Sequence, residues 1–249
     1  MNFSQLNFGV FAIKIYGLLL SIAFLIAVLR FYKRIIQKDF SVEFFLHHFW
    51  RWVLGGVVLG RISALFFEPQ ILSQYGLFSF FAFWEGEIYF FGALVGFLFA
   101  MYLDLRKQKE NFLQWLDLAV PAIFLGVLIV DWAQFFTGAI YGKETDFFWG
   151  VQYETFGVEI LNPVHPVSLY AFLAHFWIFH GIKKYEKKLE KFPGKLSFQA
   201  GILFFSTDFL LQFVRGDNTF MLFDFWRIEQ VFDVVMLGIL TLFLWKDKK

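Results

Sequence analysis

Seven apolar stretches run along this chain, and basic residues are concentrated in every second connection between them. The stretches cover residues 9–29, 50–67, 88–104, 112–137, 163–182, 197–215 and 230–245. Each approaches the roughly 20 apolar residues that a helix needs to cross a bilayer. The second and third stretches are short, so they would need flanking residues such as Phe44–Phe49 and Leu77–Phe83 to reach the membrane interfaces, or they would be partly re-entrant. We therefore expect an all-α fold, a polytopic integral membrane protein with seven transmembrane helices.

The distribution of positive charge orients these helices. Most of the 22 lysines and arginines fall in four clusters, within residues 30–38, 106–109, 183–195 and 246–249. The other connections, 1–8, 68–87, 138–162 and 214–229, hold only Lys143, Arg215 and Arg227. Cytoplasmic loops of membrane proteins carry the basic excess. The alternation predicts an N-terminus outside and a cytoplasmic C-terminus, and hence an odd number of crossings.

The composition excludes several other classes of protein. Of the 249 residues, 59% are hydrophobic and 17% are charged, which is too apolar for an ordinary soluble domain. A net charge of +1 argues against a nucleic-acid partner, and the lack of cysteine excludes disulfides and thiolate metal sites. The first stretch has no basic segment before it, so we expect a retained helix rather than a signal peptide. Residues 1–249 are expected to form one transmembrane domain.

The two longest connections on the expected outer face suit a membrane interface. Residues 68–87 and 138–162 are rich in aromatic residues, glycine and acids. Aromatic side chains with one polar end are enriched at headgroup depth. The basic connections on the other face are expected to be plain topological anchors, so the outer side is where we expect a functional site.

Ionisable side chains inside the apolar stretches are candidates for function, because an unpaired charge in a bilayer costs roughly 3 kcal/mol or more. Six are expected in the outer half of the membrane or at its boundary: Arg61, Asp131, His165, Asp208, Arg215 and Asp233. Their shared depth predicts one site. Asp117 is expected near an inner helix end in a solvated or capping role, and His175 and His180 are expected toward the inner surface. Lys14 can extend outward.

Helical spacing groups some of these residues on common faces. One face carries Asp131, Gln134, Gly138 and Tyr141, and another carries Asp208, Gln212 and Arg215. Such faces could line a functional site. Alternatively, Asp131 and Asp208 could form structural ion pairs with Arg61 and Arg215, and the sequence leaves both interpretations open.

Several motifs occur in an order that resembles a known family. GAIYGKETDFFWG at 138–150 precedes NPVHPVSLY at 162–170, and further matches are IYG at 15–17, GR at 60–61, GALVG at 92–96, FVRGD at 213–217 and Gln230. These are similar to the signatures G-R-x-G-N-F-x-N-G-E-x-Y-G, T-D-x-P-W-G and H-P-x-x-L-Y-E, with their companion motifs, of the prolipoprotein diacylglyceryl transferases of bacterial inner membranes. The resemblance covers nearly the whole chain and includes the seven-crossing topology.

The resemblance implies a multi-pass enzyme of the bacterial cytoplasmic membrane that works without a cofactor. Such enzymes move a diacylglyceryl group from phosphatidylglycerol to the thiol of a lipobox cysteine in a prolipoprotein signal peptide, and they release glycerol phosphate. The reaction needs groups at headgroup depth that stabilise charge on the departing phosphate. It also needs a base that generates the thiolate, which is the competent nucleophile.

The sequence departs from the family pattern at charged positions. Asp131 and Asp208 stand where the family has arginines, Gln134 and Gln212 replace an Asn and a Glu, and Phe91 replaces a histidine. Two unit charges a few ångströms apart interact by about 4 kcal/mol at an effective dielectric constant near 20. Reversing two cations is therefore expected to weaken attraction for an anionic phosphodiester. A zwitterionic or cationic headgroup would suit these positions better.

The candidate site combines the matching positions with the departures. The expected catalytic residues are Asp131, His165, Asp208 and Arg215, with His165 or a carboxylate as the base. The expected substrate-binding residues are Tyr16, Arg61, Gly92, Gln134, Tyr141, Gly142, Tyr170, Gln212 and Gln230. No metal ligand is expected, and the expected partners are a phospholipid and a lipobox-containing prolipoprotein.

Three other interpretations remain. The chain could be a paralogue that has lost catalysis and binds lipid or a lipoprotein precursor in the same cavity. It could also be a small transporter that uses Asp131, Asp208 and Asp233 as a relay, although no inverted repeat is visible. An Asp/His metal site is disfavoured by the lack of ligand spacing. Glycines such as Gly92 and Gly96 could serve helix packing rather than ligand contact.

Overall fold

The computed structural model describes residues 5–8, 11–67, 76–81, 88–153, 162–189, 191–217, 219–223 and 225–246. Within these ranges the chain forms seven α-helices: α1 (Ile15–Gln37), α2 (Val42–Phe67), α3 (Phe90–Lys107), α4 (Phe112–Thr137), α5 (Val167–Leu189), α6 (Lys195–Leu211) and α7 (Ile228–Lys246). Two short antiparallel pairs accompany them, β1 (Gln5–Phe8) with β2 (Phe11–Lys14) and β3 (Met221–Leu222) with β4 (Trp226–Arg227). Residues Gly76–Phe81 form a 3₁₀ helix.

The expectation of a helical membrane protein is confirmed at a coarse level. Among the described residues, α1, α2, α4 and the segment Ile228–Trp245 of α7 are long and apolar enough to cross a membrane. Seven crossings and the orientation of the termini stay predictions. Of the outer segment 68–87 only 76–81 lies within the described residues, and 154–161 of the segment 138–162 lie outside them.

The helices do not begin and end at the same residues as the apolar stretches. Some extend beyond a stretch because their polar side chains have partners inside the protein. α1 begins at Ile15 rather than at residue 9, because the preceding residues pair as β1 and β2, and it continues to Gln37. The continuation buries Arg34, whose Nε donates to the Leu118 carbonyl at 2.8 Å and whose Nη2 pairs with Glu186 at 2.7 Å. α2 begins at Val42 and thereby includes Phe44–Phe49, the extension expected for a short crossing.

Small residues bring α2 and α3 into close contact. A Cβ atom added to Gly96 would lie 2.1 Å from the backbone oxygen of Gly55, and one added to Gly92 would lie 2.2 Å from Oγ of Ser63. Residues without side chains let helix backbones approach in this way. Gly92, expected to bind substrate, is therefore a packing position on the face toward α2.

Helices α1, α5 and α6 pack against α4, and α7 packs against α6. α5 also packs on α6. One apolar core centres on Trp52 and Trp115, and a second lies between α4, α5 and α6. α4 begins after Asn111, whose Oδ1 accepts hydrogen bonds from the amides of residues 113 and 114, and it ends at Gly138 with φ +66°.

Asp117 fixes the start of α6. Its carboxylate accepts hydrogen bonds from the amides of Gly194 at 2.7 Å and Ser197 at 2.8 Å, and from the Ser197 hydroxyl. The first amides of a helix have no partner within the helix, and a carboxylate there satisfies them. The expected capping role of Asp117 is confirmed, with the difference that it caps a neighbouring helix.

Candidate functional site

Four helices each place an ionisable side chain in one region, which we call the polar cluster: Asp131 on α4, His175 on α5, the half-buried Asp208 on α6 and Asp233 on α7. The exposed fraction is 4% for Asp131 and His175 and 0% for Asp233. Electrostatic interactions link Asp208 to Asp131, His175 and Asp233. Two of the expected catalytic residues, Asp131 and Asp208, are thus brought together.

Asp131 bonds with a histidine that the sequence pattern predicts to lie elsewhere. Nδ1 of His175 lies 2.8 Å from Oδ2 of Asp131, and the imidazole stacks on Phe204 with ring centroids 4.8 Å apart. The sequence pattern ends the fifth stretch at residue 182, whereas α5 continues to Leu189, so His175 lies deeper than expected. Within the described residues Nε2 of His175 is buried without a hydrogen-bond partner.

Helical spacing correctly predicts that Asp208 and Gln212 share a face of α6. The Gln212 amide donates to Oδ2 of Asp208 at 3.2 Å. Arg215 lies beyond the end of α6 and turns toward Asp217, so the face does not continue to it as a helical stripe. Asp208 therefore has Gln212 as a direct partner, while Arg215 interacts with it through space.

Two arginines converge on one aspartate after α6. Arg215 donates from Nε to Oδ1 of Asp217 at 2.9 Å and from Nη2 to Oδ2 at 2.5 Å. Nη2 of Arg227 donates to the Asp217 carbonyl at 2.7 Å and to Oδ1 at 3.3 Å. Burial, and then the nearby charge of Arg215, lower the pKa of Arg227 below its ordinary value. The sequence shows Arg227 only as one of the few basic residues in its segment. It does not indicate that Asp217 binds both arginines.

Backbone hydrogen bonds join three motifs that are distant in sequence into a unit that we call the loop platform, residues 141–151, 163–167 and 214–217. Gly142 donates its amide to the His165 carbonyl at 2.9 Å, and Lys143 donates to the Val214 carbonyl at 2.8 Å. A Cβ atom on Gly142 would lie 2.5 Å from Cβ of His165. Only glycine fits at position 142, so the backbone there lies directly against His165. The hydrogen bond from Lys143 to Val214 then joins this pair to the segment that carries Arg215.

His165 belongs to a chain of hydrogen bonds on this platform. Nδ1 of His165 lies 3.1 Å from the Tyr170 hydroxyl, which accepts a hydrogen bond from Nε1 of Trp149 at 2.8 Å. The Trp149 ring stacks on Phe147 with centroids 4.6 Å apart. The network fixes the orientation of the imidazole and leaves its Nε2 outside these contacts. Trp149 is a site residue that the sequence identifies only through its motif.

The remaining candidate residues lie on several different elements. Tyr16, at the start of α1, hydrogen-bonds with Gln134 on α4. Arg61 is fully buried on α2, and Tyr141 is buried with its carbonyl accepting from the Gly216 amide. Oε1 of the buried Gln230 accepts from the Arg227 amide at 3.1 Å, so Gln230 positions Arg227.

Where the family resemblance places a histidine, an apolar contact is found. Phe91 at the start of α3 stacks on Phe232 of α7, with centroids 4.2 Å apart. In the described part of the chain, no group of three or more His, Asp or Glu side chains is placed to hold a metal ion. A cavity of about 260 Å³ lies at the opposite end of the bundle, near Arg34 and Asp117, away from the polar cluster.

Comparison with known proteins agrees with the sequence motifs. The family model for prolipoprotein diacylglyceryl transferase matches residues 4–246. A protein of Ehrlichia ruminantium strain Welgevonden is 28% identical over 246 residues, covering 95% of this chain and 94% of the relative. A protein of Campylobacter hominis is 31% identical, covering 95% and 88%, and one of Campylobacter lari is 30% identical, covering 86% and 82%. All three are named phosphatidylglycerol–prolipoprotein diacylglyceryl transferase.

Proposed function

We propose, on the premise that this chain belongs to the prolipoprotein diacylglyceryl transferase family, that it transfers a diacylglyceryl group from a membrane phospholipid to the lipobox cysteine of a prolipoprotein. The match over residues 4–246 carries the proposal. In this reaction the cysteine thiol loses its proton to a base, and its sulfur forms a bond to the glyceryl carbon. The bond between that carbon and the phosphate oxygen breaks, and the phosphate leaves with the electron pair. The relatives' shared name specifies phosphatidylglycerol as the donor.

The proposal includes a location, the bacterial cytoplasmic membrane, and a topology of seven crossings with the N-terminus outside. Four helices of suitable length and apolarity support it. The basic clusters lie in the connections that would then face the cytoplasm. The loop platform and Arg215 would lie on the outer side, where the lipobox of an exported precursor is reached.

The platform geometry supports His165 as the base. In the tautomer whose Nδ1–H donates to the Tyr170 oxygen, the ring has a fixed orientation and its unprotonated Nε2 can take a thiol proton. Arg215, with Arg61 and the Tyr141 and Tyr170 hydroxyls, would stabilise the departing phosphate, since preorganised donors act on developing charge. Asp131 and Asp208 would line the inner side of the site as the polar cluster.

A product assay tests the proposal. Purified protein in phospholipid vesicles is incubated with a lipobox peptide, and the peptide mass is measured. A gain of one diacylglyceryl group through a thioether is expected, and a peptide with serine in place of the lipobox cysteine should stay unmodified. An active preparation that binds peptide and lipid yet yields no thioether would contradict the proposal.

A matched pair of variants tests the base. His165→Gln should slow transfer by about 100-fold or more, within the usual contribution of a general base. His180→Gln is the control, because His180 is exposed on α5 and its Nδ1 bonds only to its own helix at the Phe176 carbonyl. Equal rates for the two variants would refute the role of His165 and leave the transferase proposal standing.

A second candidate function is lipid or precursor binding without transfer. The observation that favours it is the internal pairing of Asp131 with His175, at a position where the family resemblance has an arginine. Replacing a cation by an anion a few ångströms from a phosphate turns attraction into repulsion. Each such pair of unit charges interacts by roughly 4 kcal/mol at an effective dielectric constant near 20. Retention of lipid by the purified protein with no thioether in the assay would support this candidate.

A further inference from the structure

Arg227 lies outside every motif through which the chain resembles the transferase family, yet it is buried beside one of them. The motif FVRGD ends at residue 217, and the next matching position is Gln230. Arg227 lies between them on β4, where it pairs with Met221 of β3, and only 8% of it is exposed. A buried guanidinium needs partners for its charge and for its N–H groups. The contacts of Arg227 therefore indicate what it does.

Arg227 is held in place through both its backbone and its side chain. Its amide donates to Oε1 of Gln230 at 3.1 Å, and the pairing of β3 with β4 fixes the strand that carries it. Nη2 of the guanidinium donates to the Asp217 carbonyl at 2.7 Å and to Oδ1 of Asp217 at 3.3 Å. The cation is thus preorganised, which is the condition for stabilising a charge that develops nearby.

One donor of this guanidinium has no protein partner among the described residues. Both hydrogen bonds from Arg227 to Asp217 come from Nη2, and Nε is buried without a partner. Arg215 differs, because its Nε and Nη2 bind both carboxylate oxygens of the same aspartate. A buried donor without an acceptor costs about 1–3 kcal/mol, and more on a charged group. The unpaired Nε–H of Arg227 suits an acceptor that carries negative charge.

The charges around Arg227 leave room for such an acceptor. Two guanidiniums share Asp217, so this carboxylate balances only one of them. Glu229 interacts with both arginines from the first turn of α7, and Asp208 interacts with Arg215 from α6. These carboxylates offset much of the positive charge. An anion is therefore held here by directed N–H donors rather than by an excess of positive charge.

The two arginines adjoin the proposed base. Arg215 pairs with Gly142 as an isolated β-bridge, and the Gly142 amide donates to the His165 carbonyl at 2.9 Å. Arg215 also interacts with Asp208, which stands where the family resemblance has an arginine. The chain thus lacks a cation at this position of α6 and has one on β4, beside the same Arg215.

We propose that Arg227 replaces the arginine missing from position 208 and, with Arg215, binds the phosphate of phosphatidylglycerol. Phosphate binding stands by itself, whereas the catalytic part rests on the proposed function. The phosphodiester carries one negative charge. When the bond between the glyceryl carbon and the phosphate oxygen breaks, glycerol phosphate leaves with the electron pair and gains a second charge. N–H groups of Arg227 stabilise this added charge, and the thiol proton goes to the base as before.

The binding of two lipids tests Arg227. Purified full-length protein in detergent is mixed with phosphatidylglycerol, or with diacylglycerol of the same acyl chains, which lacks the phosphate. Bound lipid is measured by native mass spectrometry. Arg227→Gln should weaken the binding of phosphatidylglycerol about tenfold or more, as expected for the loss of a hydrogen bond to a charged group, and should leave that of diacylglycerol unchanged. Arg106→Gln is the matched control, because Arg106 is exposed in the last turn of α3.

Two results would overturn the proposal once thermal unfolding has shown that the Arg227→Gln protein is folded. Binding of phosphatidylglycerol as tight as in the unmodified protein would place the phosphate elsewhere. Equal weakening of phosphatidylglycerol and diacylglycerol would assign Arg227 a structural role in the hairpin of β3 and β4 and no contact with phosphate.

Returning an arginine to α6 tests the replacement itself. The double variant Asp208→Arg with Arg227→Gln again places one arginine next to Arg215, now at position 208. If the two positions serve the same phosphate, the double variant should recover the roughly tenfold affinity for phosphatidylglycerol that Arg227→Gln loses. A folded double variant that binds as weakly as Arg227→Gln alone would refute the replacement.

The transfer assay separates this inference from the proposed function. At saturating phosphatidylglycerol, Arg227→Gln should slow thioether formation by about 100-fold, the usual effect of removing one preorganised donor. Binding of phosphatidylglycerol that depends on Arg227, without thioether formation from any lipid, would retain the phosphate site and refute transfer. Equal rates of thioether formation in the unmodified protein and in Arg227→Gln would retain transfer and refute the role of Arg227.

Discussion

The close contact between α2 and α3 predicts a large difference between two glycine-to-alanine substitutions. Gly96 faces the backbone of α2, where an added Cβ atom would lie 2.1 Å from the Gly55 oxygen and 2.8 Å from Cβ of Leu59. A Cβ atom added to Gly181, within α5, would have no packing neighbour within 4 Å. Both substitutions add one methyl group to a helix, so the surroundings alone distinguish them.

The expected free energies of unfolding follow from these distances. Alanine in a helix is favoured over glycine by about 1 kcal/mol, so Gly181→Ala should stabilise by up to that amount. Gly96→Ala gains the same term but requires the two backbones to separate by almost 1 Å, and overpacking of this kind costs about 1–3 kcal/mol. Because the nearest atom is backbone, we take the upper end, a net loss of about 2 kcal/mol. The two variants should then differ by about 3 kcal/mol, or about 100-fold in the unfolding equilibrium.

Denaturant unfolding in mixed micelles, followed by tryptophan fluorescence, measures this difference. The separation of α2 from α3 should also disturb Arg61, which is buried on α2 one helical turn beyond this contact. If Gly96→Ala were as stable as Gly181→Ala, the helix contact described here would be wrong.

Three further predictions concern Asp117, Tyr153 and Trp149. Asp117→Ala should lower the free energy of unfolding, measured with a chemical denaturant, by about 2–4 kcal/mol, and Ser197→Ala should lower it by about 1 kcal/mol. The reason is that Asp117 accepts three hydrogen bonds, whereas the Ser197 side chain donates only one. Equal losses would contradict the role of Asp117 in capping α6. Burial raises the pKa of Tyr153 to about 12, so one component of the phenolate absorbance should titrate near that pH and be lost in Tyr153→Phe. The stability that depends on the neutral phenol is complete below about pH 10 and is lost as the pH rises through about 12. Trp149→Phe removes one hydrogen bond to Tyr170 and should slow thioether formation about fivefold, and an unchanged rate would separate Trp149 from the site.

The helices could be predicted from the sequence because each long apolar stretch indicates a segment that avoids water. Their ends could not, since Arg34 extends α1 only because Leu118 and Glu186 offer it partners across the bundle. The same limit applies to residues 11–14, which are apolar enough for a crossing but pair as β2. Local pattern predicts the type of the long helices, whereas tertiary contacts decide where they begin and end and which short segments pair as strands.

The contacts of the candidate site could likewise be predicted only in part. Spacing along one helix correctly placed Asp208 and Gln212 together, because a face is a property of the helix alone. The pairing of Asp131 with His175 depends on how α4 and α5 are rotated against each other, which periodicity does not determine. The convergence of Arg215 and Arg227 on Asp217 likewise depends on the path of the chain after α6.

The mass of a lipobox peptide after incubation with the purified protein in mixed phospholipid vesicles shows whether this protein transfers a diacylglyceryl group. We expect the peptide's cysteine to gain one diacylglyceryl group, in an amount that rises with incubation time and with protein concentration. A cysteine that stays unmodified, while lipid and peptide are both bound, would contradict the assignment of transferase activity.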